Sequence, residues 1–242
     1  MGLAELGKKR KSASIYGGEC LAGTKTALVF PDYTRAERAA DRLVHMVGVP
    51  LGIIAGAWLL YRSAMQDDTI AVVTLAIYVF GLAGMLGSSA AYQLTPPGVM
   101  KERLRRLDRA MIFVMIAGTY TPISANVLFL RGGVWLCGVL WALAAAGIFA
   151  TLRYPRRFER LILGLYLMMG WMLLVLIRES FAALPLPVMV LIIAGGVAYT
   201  IGAVIQAQPR LKFHNPIWHG LILVAASLQY AAISLQLTGS VI

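Results

Sequence analysis

Along the chain, apolar residues gather in runs close to twenty long, separated by short polar segments, a pattern unlike the broken periodicity of a soluble helix or strand. A hydrocarbon core of about 30 Å is crossed by about 20 helical residues at about 1.5 Å rise each. Seven runs approach that length: Met46 to Tyr61, Ile70 to Tyr92, Ala110 to Leu130, Gly133 to Leu152, Leu161 to Ile177, Leu184 to Gln206 and Pro216 to Leu237. The expected fold class is therefore all-α, an integral membrane bundle of seven helices. Residues 1–34 read as a flexible basic arm and 35–242 as the membrane domain.

The polar segments orient this bundle. The arm before the first run, and the loops after the second, fourth and sixth, hold 19 of the 22 Lys and Arg residues, leaving only Arg62, Arg131 and Arg178 on the opposite side. Cytoplasmic loops retain Lys and Arg, so the amino terminus is expected inside and the carboxyl terminus outside a membrane crossed several times. Thr34 followed three residues later by Glu37 reads as a capping box, starting a helix near Arg35 that runs into the first span. Pro122 breaks the third run and frees the carbonyl of Gly118, which Thr119 or Thr121 is placed to re-satisfy. Gly81, Gly84, Ser88, Gly118, Gly195 and Gly202 are candidate close contacts between helices, because backbone approach at small residues supplies packing in lipid.

Composition agrees, at 59% hydrophobic and 14% charged. The net charge of +11 does not point to nucleic acid, since the basic residues recur at loop spacing and form no stripe with interleaved aromatics. Cys20 and Cys137 fall on opposite sides of the predicted bilayer, so no disulfide is expected. The expected partners are membrane lipids and a lipid or small-molecule ligand; oligomeric state is not legible.

Polar groups embedded near a membrane are costly and therefore informative. His45 opens the first span, Ser88, Ser89 and Gln93 close the second, Asp108 opens the third, and Asn215 and His219 open the seventh. The predicted topology sets them at one cytoplasmic boundary. Glu37, Asp41 and His45 follow at intervals of four, along one helix face. Each has a plainer reading: Glu37 as a cap, Asp108 as a partner for Arg105 or for the positive helix end, and either histidine as an interfacial hydrogen-bonder. Thr119 and Tyr120 are either backbone repair beside Pro122 or ligand contacts.

These segments carry a family resemblance. Glu37-x3-Asp41-x3-His45-x2-Gly48, Ser89-x3-Gln93, Arg106-Leu107-Asp108, Ala117-Gly118-Thr119-Tyr120-Thr121-Pro122, Leu165 to Trp171, Gly195-Gly196-x2-Tyr199-x2-Gly202 and Ile217-Trp218-His219 resemble the hemolysin III and progestin/adipoQ receptor family, grouped with alkaline ceramidases as membrane metallohydrolases. The resemblance implies seven helices with the amino terminus inside, and a zinc site. In the family one zinc ligand is the histidine of a Ser-x3-His element, two more form His-x3-His, and the aspartate of the third span positions water. Here Gln93 and Asn215 stand where two of those histidines would be, while Ser89, Asp108 and His219 match.

Gln and Asn are poor zinc ligands, so two readings stay open: a metal-free polar pocket, or a rearranged site in which His214 joins His219, with His45 and Asp108 completing the set. Five residues separate His214 from His219, about 140° on a regular helix, so that pairing requires His214 to lie outside a helix starting at Pro216. Three functions are weighed: a metal-dependent hydrolase of lipid amides or esters with Asp108 and Ser89 as catalytic groups; a non-catalytic sensor binding through His45, Asp41, Gln93, Asn215, Thr119 and Tyr120; and the cytolysin implied by the family's name. The spans hold almost no ionisable residue away from their ends, which leaves a pore without a charged lining.

Overall fold

The computed structural model describes residues 14–16 and 28–239. Two short strands, β1 (Ser14–Tyr16) and β2 (Leu28–Phe30), pair antiparallel ahead of the helices. Most of the basic arm, Cys20 included, lies outside the described residues. Eight helices follow: α1 (Arg35–Ala64), α2 (Thr69–Leu94), α3 (Val99–Asn126), α4 (Gly133–Arg153), α5 (Glu159–Gly170), α6 (Ile177–Ala183), α7 (Leu186–Gln206) and α8 (His214–Thr238).

Their ends follow from local chemistry. Thr34 and Glu37 form the expected capping box, each side chain bonded to the other's backbone N–H, and α1 runs unbroken from there into its apolar stretch. Asp68 caps α2 by accepting from the amides of Ile70 and Ala71, both at 3.0 Å. At the other end of α2, Lys101 donates to the carbonyls of Tyr92 (2.9 Å) and Thr95 (2.8 Å), meeting the negative helix terminus with a cation.

Among the described residues, six helical stretches are long and apolar enough to cross a membrane: α1, α2, α4, the stretch Glu159–Ala183, α7 and α8. Leu43, Met46, Ile54, Phe80, Phe149 and Leu161 are exposed on their outer faces, as a lipid-facing belt requires. The chain is thus a multi-pass integral membrane protein with a helical bundle. α3 is the most polar long helix, and it packs between α2 and α4, sheltered by both. The helices close a ring, α1 against α2, α2 against α3, α3 against α4, α5 bridging α3, α4 and α7, then α7 against α8 and α8 back on α1. Tyr78, Phe113, Leu136 and Met189 fill its interior.

Helices α2 and α3 meet through paired glycines. A Cβ on Gly81 would stand 3.2 Å from the Met115 Cα, and one on Gly118 would stand 3.3 Å from the Ile77 carbonyl oxygen. Those neighbours are backbone and cannot turn aside, so the crossing distance depends on both glycines.

Three expectations are corrected. Thr119 and Thr121 bond the carbonyls of Met115 (2.7 Å) and Ala117 (2.8 Å), not that of Gly118, because the hydroxyl of a helical threonine reaches the carbonyl four residues before it. The continuous run from Leu161 to Ile177 is interrupted: α5 stops at Gly170, a 3-10 turn covers Met172–Leu176, and α6 resumes at Ile177. His214 lies inside α8, whose preceding residue Phe213 takes the left-handed conformation (φ 59), so the helix begins before Pro216 and not at it.

Candidate functional site

Near one end of the ring, α1, α2, α3 and α8 each contribute a polar side chain to a single cavity. Asp41 and His45 are one turn apart on α1, Ser89 is near the end of α2, Asp108 is on α3, and His219 is in the second turn of α8. Asp41, His45, Ser89 and His219 are all buried.

The contacts fix the hydrogen positions. His45 Nδ1 lies 2.8 Å from the Asp41 carbonyl oxygen, so it donates there. His219 Nδ1 lies 2.5 Å from Asp41 Oδ1 and donates to that carboxylate. With hydrogens on both Nδ1 atoms, neutral rings present lone pairs at Nε2. Both lone pairs face the Ser89 hydroxyl, at 3.1 Å from His45 and 3.4 Å from His219. The Asp108 carboxylate lines the same cavity as Ser89. One hydroxyl hydrogen therefore serves two imidazole nitrogens, with a carboxylate in the same cavity.

This imbalance is the chemical signature of the site: buried acceptors outnumber donors, and a cation or an extra proton is what repairs it. The donor atoms of Asp41, His45 and His219 lie within 4.8 Å of one another. Two histidines and a carboxylate are a donor set that zinc accepts, with a further position left for water or substrate. The residues present therefore fit a divalent metal, through a different set from that carried over from the family pattern. His214 is not part of it: its Nδ1 faces the Leu211 carbonyl at 3.0 Å and its ring packs on Tyr33. The helical rotation between positions 214 and 219 separates the two imidazoles.

Three cavities succeed one another here. The outermost is lined by Tyr33, Glu37, Asp41, Gln93 and Asn215, and is the most polar of the three. The second, of about 40 Å³, holds His45, Ser89, Asp108 and His219. The third, of about 80 Å³, is apolar, enclosed by α3, α5, α7 and α8, and shares Met85, Ile112, Trp218 and Ile222 with the second. Thr119 and Tyr120 line this third chamber, away from the histidines.

Sequence reasoning missed that chamber. Its floor is the break in α5, where Tyr120 donates to the Gly170 carbonyl (2.6 Å) and accepts from the Leu173 amide (3.2 Å). Trp171 is anchored by its indole N–H on Thr200 (3.1 Å), and Gly196 on α7 leaves room for its ring. The small residues at 170 and 196 were the available signal.

Comparison with known proteins bears on the same residues. A family model described as haemolysin-III related matches residues 37–230. The hemolysin-3 homolog of Bacillus subtilis (strain 168) is 28% identical over 198 residues, covering 82% of this chain and 93% of that protein. Hemolysin-3 of Bacillus cereus is 30% identical over 197 residues, covering 80% and 89%. Human monocyte to macrophage differentiation factor is 26% identical over 211 residues, covering 81% and 83%. No solved structure matches the chain.

Proposed function

The chain belongs to the haemolysin-III-related family, and from that premise we propose that it is a metal-dependent hydrolase of lipid amides or esters, working at the cytoplasmic face of a bacterial cell membrane. The observation that carries this reading is the convergence of His45 and His219 on the Ser89 hydroxyl, with Asp41 bonded to His219 and Asp108 in the same cavity, whose wall is shared with an apolar chamber. A lipid presents the same pairing of a polar scissile group with an apolar chain.

The proposed topology has seven spans, with α3 as the least apolar, the amino terminus inside and the carboxyl terminus outside. Its support is the distribution of Lys and Arg, 19 of 22 on the side where the polar cavities open.

Asp41, His45 and His219 would hold zinc, which when bound supplies Lewis acidity to a water molecule and to the scissile carbonyl. The Asp41 carboxylate, which accepts from His219 Nδ1 in the structure, would exchange that hydrogen bond for the metal on binding it. Asp108 takes up the proton released as water attacks, at its carboxylate oxygen, and returns it to the leaving nitrogen or oxygen. Ser89, bonded to both histidines, holds them in register. The apolar chamber takes the acyl chain out of water while Gln93 and Asn215 in the outer cavity offer hydrogen bonds to the headgroup.

Purified protein supplied with zinc in mixed micelles should release fatty acid from a lipid amide or ester, and Asp108→Asn should lower the rate ~10²–10⁴-fold without loss of the fold. Absence of turnover by the zinc-loaded protein on both bond types contradicts the reading.

A second reading is favoured by Gln93 and Asn215, which hydrogen-bond well and ligate metals poorly: a sensor that binds a lipid headgroup without chemistry. Ligand binding that persists in chelator and is lost in Asp108→Ala would select it.

A further inference from the structure

On the other side of α3 from the histidines, its first turns meet the α4–α5 turn in a second polar cluster. Arg105, Arg106, Arg109 and Arg156 surround a small void with Thr151, Tyr154 and Glu159. Glu102 and Glu159 are carboxylates paired with these guanidiniums. Glu102 is buried and accepts from Arg105 (2.8 Å) and Arg156 (2.8 Å), while Glu159 takes Arg105 (2.9 Å) and Arg109 (3.2 Å). Arg105, Arg106 and Arg109 thus bring three positive charges to two carboxylates, one of which, Glu102, is shared with Arg156.

Two further observations point to what balances it. Thr151 is 3% exposed and its hydroxyl, on the wall of this void, has no hydrogen-bond partner among the described residues. The void itself is about 10 Å³, room for a single oxygen atom. The Arg106 Nε is likewise buried without a hydrogen bond, 3.5 Å from the Glu102 carboxylate. A buried hydroxyl donor beside surplus guanidinium groups is the complement of an oxyanion. Phe149 and Leu152, three residues apart on the exposed face of α4, offer an apolar surface running along the membrane-crossing helix from the end that carries Thr151.

We propose that this cluster is a binding site for a phosphate oxyanion, the headgroup phosphate of an anionic phospholipid, with one phosphate oxygen seated on Thr151 and the others facing Arg106 and Arg109. Acyl chains then lie against Phe149 and Leu152. The site is separate from the Asp41–His45–His219 cavity and does not depend on any catalysis there. Its energy comes from charge neutralisation at the end of the bundle, so its occupancy joins α3 to the α4–α5 turn.

The test uses the full chain in zwitterionic detergent, with thermal unfolding followed on addition of phosphatidylglycerol, phosphatidylcholine, inorganic phosphate, or sodium chloride at matched ionic strength. Phosphatidylglycerol should raise the Tm and phosphatidylcholine should not. Thr151→Val and Arg106→Gln should each weaken this apparent affinity about tenfold. Thr151→Val removes an unpartnered hydroxyl at nearly constant shape, so its Tm without lipid should match or exceed the wild type, which separates a lost ligand contact from a damaged fold. If inorganic phosphate alone gives the full effect, the oxyanion site stands and its source is a free ion. Equal stabilisation of wild type and both variants, or no stabilisation by either phosphatidylglycerol or phosphate, overturns the proposal.

Discussion

Glu102 illustrates how one residue ties together segments far apart in sequence. Burial by itself raises the pKa of a carboxyl, yet the hydrogen bonds and charges of Arg105 and Arg156 hold it down from an ordinary 4.5 to about 2. A depressed folded-state pKa contributes stability that is fully present above the unfolded value of about 4.5 and is lost as pH falls through about 2. The Tm of wild-type protein should therefore decline across that acid window, and Glu102→Gln should flatten the decline. At neutral pH the same substitution should cost ~3–5 kcal/mol, because two arginines are left facing a neutral group. Denaturant unfolding at the two pH extremes checks both, and an unchanged pH profile in the variant would remove the argument. The polar residues themselves were legible as membrane-boundary groups, since charge near lipid is costly. Their partition was not. Nothing in sequence spacing says that Asp41 reaches across to His219 while His214 turns to Leu211, because that depends on where α8 begins, and Phe213 starts it with a left-handed residue that carries no glycine signal.

At the scale of the element, the break between α5 and α6 departs most from what hydropathy foretells, because an apolar run records composition and not hydrogen-bond continuity. The Tyr120 hydroxyl bridges the gap, accepting an amide and donating to a carbonyl that the interrupted helix leaves exposed in an apolar setting. Tyr120→Phe should destabilise the fold by ~1–3 kcal/mol and speed amide exchange at Leu173, with little change at α8. Uniform exchange rates across the bundle would argue against a local role. The α2–α3 crossing makes a second prediction. Gly118→Val adds atoms against the Ile77 carbonyl, and should cost ~1–3 kcal/mol by forcing the two helices apart. This contact was readable as a small-residue position, but its partner helix was not, since close approach requires knowing which faces meet.

Over the whole molecule, the alternation of apolar runs and basic loops made the helical membrane class legible before any contact was known. The order of the ring and the succession of polar vestibule, histidine cavity and apolar chamber were not, because they arise only when the helices close. The gradient they form, from hydrogen-bonding groups through metal-suited donors to an apolar space, is the one the proposed lipid hydrolase requires. Liposomes carrying purified protein should accordingly retain an entrapped dye; its rapid release would restore the pore-forming reading. The account as a whole depends on the excess of buried acceptors around Ser89 being met by a metal. Elemental analysis of purified protein tests this directly: about one zinc per chain is expected in the wild type, falling to background in Asp41→Ala and His219→Ala while helical content is retained. Wild-type protein without bound metal after purification with zinc present, or zinc equally retained in both variants, would contradict it.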